Sequence, residues 1–151
     1  MEYKKKAHSV YFMAYHLVFV TKCRKPVISN EIGEFMKELS REICEQHGGT
    51  LISAETDTDH MHLLISMPPQ ERPSDIIRVL KTQTSKKVHL NEKFDKYVKQ
   101  YLFGDESLWS PSYFIATTGS VTIEKIKEYV ESQKTEYHKR KYEKTGKYKK
   151  K

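Results

Sequence analysis

Residues 50–67 read TLISAETDTDHMHLLISM, and this stretch decides the fold. Two runs rich in apolar and β-branched residues, 50–57 and 60–67, flank Asp57-Thr58-Asp59. Asp and Thr in that cluster predict a tight turn, so the two runs predict a β-hairpin. Pro68-Pro69 stops the second strand, because proline cannot donate to a ladder. Side chains two apart on a strand share a face. His60 and His62 therefore stand side by side, with Met61 and Leu63 on the opposite face. An imidazole in an apolar strand is costly without a partner, so the pair reads as half of a metal site. Two strand histidines with no metal are the alternative, and spacing alone leaves both open.

The flanking sequence extends the hairpin into a sheet. Residues 10–22, rich in Val, Tyr and Phe, predict a long first strand. Ile32, Phe35, Met36, Leu39 and Ile43 recur at helical spacing and predict a helix over 30–47. Ser29 or Asn30 is its expected cap and Gly48-Gly49 its end. Ser74 is expected to cap a second helix carrying Ile76, Ile77, Leu80 and Val88. Residues 91–110 read as a loop or short helix and 112–118 as a fourth strand. Gly119-Ser120 leads into a last helix at about 121–136. The order β-α-β-β-α-β-α predicts an α+β fold, a four-stranded antiparallel sheet with helices packed on one face, ferredoxin-like or RRM-like.

Composition bounds the class. The 151 residues suggest one domain with a real core. No apolar stretch approaches the roughly 20 residues of a spanning helix. The stretch Val10 to Val20 is broken by Tyr15 and His16 and lacks a small-residue cleavage site, so it reads as a strand, not a signal peptide. Cys23 and Cys44 form no C-x-x-C pair, which points to a reduced, cytoplasmic setting with thiols that are structural or incidental. The charge is uneven. Lys134 to Lys151 holds nine Lys or Arg and two Glu, the whole net charge of +7, while the preceding 133 residues balance 18 basic groups against 18 acidic ones. The expected organisation is one domain over 1–136 and a basic arm over 137–151. Tyr137, Tyr142 and Tyr148 interleave the arm's lysines, a composition suited to a nucleic-acid backbone. A solubilising tail is the plainer reading.

The last helix can complete the metal site. Tyr129 and Gln133 form an i,i+4 pair beside the apolar stripe Ile123, Ile126 and Val130. Laid over a sheet face carrying two histidines, such a helix supplies an oxygen ligand and a potential nucleophile. His60, His62 and Gln133 make a mixed nitrogen and oxygen set that suits Mg²⁺ or Mn²⁺ with open positions for phosphate and water. Tyrosine on an amphipathic helix is ordinarily core-edge packing, and with ten tyrosines in the chain spacing alone does not single out Tyr129. His8, His16, His47, His89 and His138 show no ligand spacing. Asp57 and Asp59 read as turn formers, with tuning of a histidine or assistance to the metal as the other option. Trp109 and Tyr113 read as core packing or as stacking platforms for bases.

Three segments carry a family resemblance. They are Thr56-Asp57-Thr58-Asp59-His60-Met61-His62-Leu63-Leu64, then Leu108-Trp109-Ser110-Pro111-Ser112-Tyr113-Phe114, then Ile126-Lys127-Glu128-Tyr129-Val130-Glu131-Ser132-Gln133. Together they resemble the single-tyrosine HUH transposases of small insertion sequences, the TnpA or IS200-like type. The resemblance covers nearly the whole chain. It implies that His60, His62 and Gln133 are metal ligands and that Tyr129 is the nucleophile. It also implies a 5′-phosphotyrosine intermediate on single-stranded DNA, hairpin-forming element ends as substrate, a homodimer, and a prokaryotic cytoplasm with the protein at the nucleoid when acting. The strand Val10 to Val20 is then either a place where two sheets merge across the dimer or a plain sheet strand. Candidate DNA contacts are Lys4, Lys5, Lys6, Arg24, Lys25, Arg78, Lys81, Lys86 and Lys87.

The main competing reading is a non-catalytic RRM-like module that binds single strands through exposed aromatics. A histidine-triad nucleotide hydrolase wants a third histidine at position 64, where Leu64 stands. Replication initiators and relaxases tend to be larger or to carry extra domains. A domesticated relative would share the same chemistry.

Overall fold

The computed structural model describes residues 4–6, 9–103, 107–117 and 128–132. In chain order these form β1 (Lys4–Lys6), β2 (Ser9–Tyr11), β3 (Ala14–Val20), α1 (Asn30–Gln46), β4 (Thr50–Asp57), β5 (His60–Ser66), α2 (Pro73–Leu90), α3 (Glu92–Val98) and β6 (Phe114–Thr117). Residues 128–132 are helical. Among the described residues no helix is long and apolar enough to cross a membrane.

The expected hairpin is present. β4 and β5 pair antiparallel, with Asp57 opposite His60 and Glu55 opposite His62. β3 pairs antiparallel with β5 on one side and with β6 on the other, giving the order β4-β5-β3-β6. The long first strand is corrected. Residues 10–22 break after Tyr11, and β2 pairs with β1 in a separate two-stranded sheet. β3 is hydrogen-bonded along both sides, so it offers no free edge for merging two sheets. β4 and β6 are the sheet's edges.

Alternation sorts β3 and β5 into two faces. Leu17, Phe19, Met61, Leu63 and Ile65 are buried and pack with Ile32, Met36 and Ile43 of α1 and Ile76, Ile77 and Leu80 of α2. Val18 and Val20 belong to a second, smaller cluster with Val130, Phe114 and Tyr129. Helical residues 128–132 thus cover the face opposite α1 and α2, which corrects the expectation of helices on one face only.

Local chemistry explains the boundaries. The Ser29 Oγ accepts from the Ile32 amide at 3.2 Å and caps α1. Gly48, at φ +80°, closes α1 in the left-handed conformation that glycine tolerates. The second helix starts earlier than Ser74: Arg72 is its N-cap without a side-chain bond, and Pro73 takes the first turn, where a missing N–H costs nothing. α1 lies close on the hairpin, since a Cβ on Gly33 would meet Thr56 Oγ1 at 2.5 Å. Burial pushes the Cys44 thiol up to about 12, with Glu45 adding to the shift, so this thiol is structural.

Trp109 belongs to the core and is not a stacking platform. It is 2% exposed, meets Phe19 edge-on at 5.7 Å, and donates from Nε1 to Thr84 Oγ1 at 2.8 Å. Trp109→Phe is expected to cost about 1–2 kcal/mol, from reduced ring volume and the loss of a buried hydrogen bond. The urea midpoint measures this, and an unchanged midpoint would rule out a structural role for the indole.

Candidate functional site

The face of the sheet not covered by α1 and α2 carries the candidate residues. His60 and His62 lie on it beside Val20 and Val18, their direct partners across the β3–β5 ladder. His60 Nδ1 lies 2.9 Å from Asp59 Oδ1. A carboxylate accepts a hydrogen bond from a ring N–H, so Asp59 favours the tautomer that leaves His60 Nε2 as a lone-pair donor. The two turn aspartates therefore divide their work. Asp57 Oδ1 accepts from the Thr58 amide at 2.7 Å and builds the turn, while Asp59 holds the histidine.

Asp59 is itself held. Arg24 donates from Nε to Asp59 Oδ2 at 2.9 Å, and its Nη2 stands 2.8 Å from the same oxygen. Burial pushes the Asp59 carboxyl up, but hydrogen bonds from His60 and Arg24, with the guanidinium charge, outweigh it and hold the group below the usual carboxylate range. A third Arg24 donor, Nη1, reaches the Val130 carbonyl at 3.1 Å.

His62 has a partner that sequence spacing does not reveal. Its Nε2 lies 3.0 Å from His16 Nδ1, and the two rings stack with centroids 5.2 Å apart. His16 sits on β3, 46 residues away in sequence. Burial lowers the affinity of both rings for a proton. For His62, the neighbouring His16 and His60 add to the effect and Glu55 opposes it. A neutral imidazole is the form that ligates metal.

Tyr129 lies in the helical segment over this face. Its ring packs on Phe114 with centroids 5.4 Å apart, and its hydroxyl lies 3.2 Å from Ser112 Oγ. Burial pushes the phenol above its ordinary range, and the Ser112 hydrogen bond only partly offsets this. At neutral pH the group is therefore protonated, and a nucleophilic Tyr129 must lose its proton as it reacts.

Among the described residues no group of three or more His, Cys, Asp and Glu is placed to hold a metal ion. The donor chemistry of His60 and His62 suits two positions of such a shell. A further ligand must come from elsewhere, and Gln133 lies outside the described residues, as does the basic arm over 137–151.

The candidate DNA contacts divide by position. Arg78, Lys86 and Lys87 are exposed on α2, across the sheet from the histidines. Lys81 is half-buried and donates to the carbonyls of Ser110 and Ser112 at 2.7 and 3.1 Å. It lines a cavity of about 330 Å³ together with Arg78, Ser107 and Tyr113. Arg24 is engaged with Asp59 and Val130, and Lys25 is partly exposed on the same loop. Lys4, Lys5 and Lys6 are described only as the backbone of β1.

Comparison with known proteins gives consistent matches. A family model described as transposase IS200-like matches residues 9–133. The ISDra2 transposase TnpA of Deinococcus radiodurans is 36% identical over 135 residues, covering 88% of this chain and 92% of the relative. The transposase for insertion sequence element IS200 of Salmonella typhimurium is 29% identical over 130 residues, covering 86% and 82%. A crystal structure of a Deinococcus radiodurans protein superposes with a TM-score of 0.76 at 32% identity, covering 86% of this chain and 97% of that one. A REP-associated tyrosine transposase bound to a REP hairpin superposes with a TM-score of 0.50 at 11% identity, covering 86% and 68%, a likeness of fold.

Proposed function

The chain belongs to the IS200-like transposase family, and on that premise we propose that it cuts and rejoins single-stranded DNA through Tyr129. One observation carries the reading. The helical segment bearing Tyr129 packs on the same sheet face as His60 and His62.

In this reaction the Tyr129 oxygen attacks the phosphorus of a phosphodiester in line with the leaving 3′ oxygen. The P–O3′ bond breaks as the Tyr–O–P bond forms. A 5′-phosphotyrosine results; the phenol proton passes to a base or water, and the departing O3′ takes up a proton from that base or from water to become a free 3′-OH. Attack by another 3′-OH reverses the step without an external energy source, because the phosphotyrosine keeps the energy of the broken bond. Ser112, in contact with the Tyr129 hydroxyl, orients that oxygen before attack. A divalent ion, Mg²⁺ or Mn²⁺, held by His60, His62 and Gln133 would neutralise and orient the scissile phosphate.

Family membership supports DNA as the partner, with hairpin-forming element ends as its natural form and a homodimer as the working state. The arm over 137–151 and the exposed lysines of α2 supply the charge that phosphate backbones attract. The rival RRM-like module finds little support. On this face Val18 and Val20 are buried beneath the segment that bears Tyr129, so among the described residues the central strands present no open row of Phe, Tyr or Trp.

The test is direct. The protein is incubated with labelled single strands from the DNA flanking its own gene, in Mg²⁺ or Mn²⁺, and resolved on a denaturing gel. A covalent protein–DNA species is expected, and its absence with every strand tried would sink the reading.

A further inference from the structure

Residues 21–28 form a loop pinned to the hairpin turn. The Thr21 amide donates to Asp59 O at 2.9 Å and the Ile28 amide to Thr58 O at 2.9 Å. The Lys22 amide donates to Leu108 O at 2.9 Å. Within this loop Cys23 and Arg24 have φ of 56° and 50°, the only positive values at non-glycine positions among the described residues. A side-chain-bearing residue adopts that conformation only when its surroundings enforce it. Here the Arg24 side chain is turned inward, 16% exposed, and joins two parts of the site.

We propose that Arg24 is a positioning residue that clamps the tyrosine-bearing helix to the histidine strand. One guanidinium holds Asp59 through Nε and Nη2, and Asp59 holds His60. The same guanidinium holds the carbonyl of Val130, the residue next to Tyr129. The path Val130–Arg24–Asp59–His60 thus links the nucleophile's helix to a phosphate-activating histidine through three polar contacts. In-line attack tolerates little misplacement between these two halves. Arginine suits the task because its planar fork presents several donors in fixed directions, whereas lysine offers one centre. This assignment differs from a phosphate contact, which needs the guanidinium facing DNA. It rests on Tyr129 acting as the nucleophile beside His60.

Arg24→Ala and Arg24→Lys in the full chain test it. Single-turnover adduct formation on a labelled flanking-DNA strand is expected to slow by about 10–100-fold in Arg24→Ala, the range typical of removing a ligand-orienting partner. Affinity for the same strand without metal should stay within about threefold, with an unchanged salt slope. Arg24→Lys should be slowed as well, because one ammonium cannot hold both Asp59 and Val130. In the metal-free protein, hydrogen exchange over 128–132 should accelerate in both variants. A wild-type rate in Arg24→Ala overturns the clamp, and so does unchanged exchange. A fall in affinity and salt slope that lysine restores makes Arg24 a phosphate contact and also overturns it. If Arg24→Ala fails to fold, Arg24→Lys decides by the same readings. Wild-type protein run alongside separates the two ideas: no wild-type adduct refutes the function itself, whereas a wild-type adduct with indifferent variants refutes only the clamp.

Discussion

Tyr129→Phe is expected to abolish the covalent protein–DNA adduct while leaving single-strand affinity within about threefold. The phenol oxygen is the atom that would bond to phosphorus, and phenylalanine lacks it. The rest of the side chain's environment should survive. The ring keeps its packing on Phe114, and Val130 stays buried against Val18 and Val20. The substitution removes the hydrogen bond to Ser112, which is solvent-exposed and worth at most about 0.5–1 kcal/mol. Folding and binding should therefore be nearly unchanged, so loss of the adduct reports chemistry. An adduct that persists in the phenylalanine variant would mean another residue attacks. Ser112→Ala sharpens the result. It keeps the nucleophile but removes its partner, and should slow adduct formation without abolishing it.

The site's halves differ in how far the sequence exposes them, and the reason is range. The hairpin over 50–66 is local: alternation, a turn cluster and a proline stop act within a few residues, so the shared face of His60 and His62 can be read directly. Tyr129 needs more than spacing, since one tyrosine among ten is singled out by its neighbours in three separated segments. His16 is invisible to any spacing rule. It meets His62 because β3 and β5 pair in one register, with Val18 opposite His62, and register belongs to the folded sheet. A parity argument across predicted strands, placing His16 with Val18 and Val20, could have found it. Arg24 reads as a candidate DNA contact because its partners, Asp59 and Val130, come from 35 and 106 residues away. The break after Tyr11 is likewise hidden. Val10 to Val20 is rich in strand formers on both sides of Met13-Ala14, and no glycine or proline marks where β2 turns away to pair with β1.

Loss of His62 is the second large effect expected. His62→Ala should reduce metal-dependent cleavage by at least about a hundredfold. Lewis-acid stabilisation is worth several kcal/mol, and each 1.36 kcal/mol is tenfold in rate. In the fold His62 keeps its place in the β5 ladder when alanine replaces it, but loses its hydrogen bond and ring stacking with His16. Because the site is partly open to solvent, the freed His16 can turn to water, and stability should fall only modestly. His16→Ala is the informative companion. In this arrangement His62 Nε2 is occupied by His16 Nδ1, so a metal that ligates through Nε2 must displace that hydrogen bond. Removing His16 should then leave cleavage near wild type and lower the Mg²⁺ or Mn²⁺ concentration needed for half-maximal rate. If His62→Ala cleaves normally, or the wild-type protein cleaves equally well in excess chelator, the histidines have no metal role. If His16→Ala loses cleavage as completely as His62→Ala, His16 is part of the ligand set and does not compete with it.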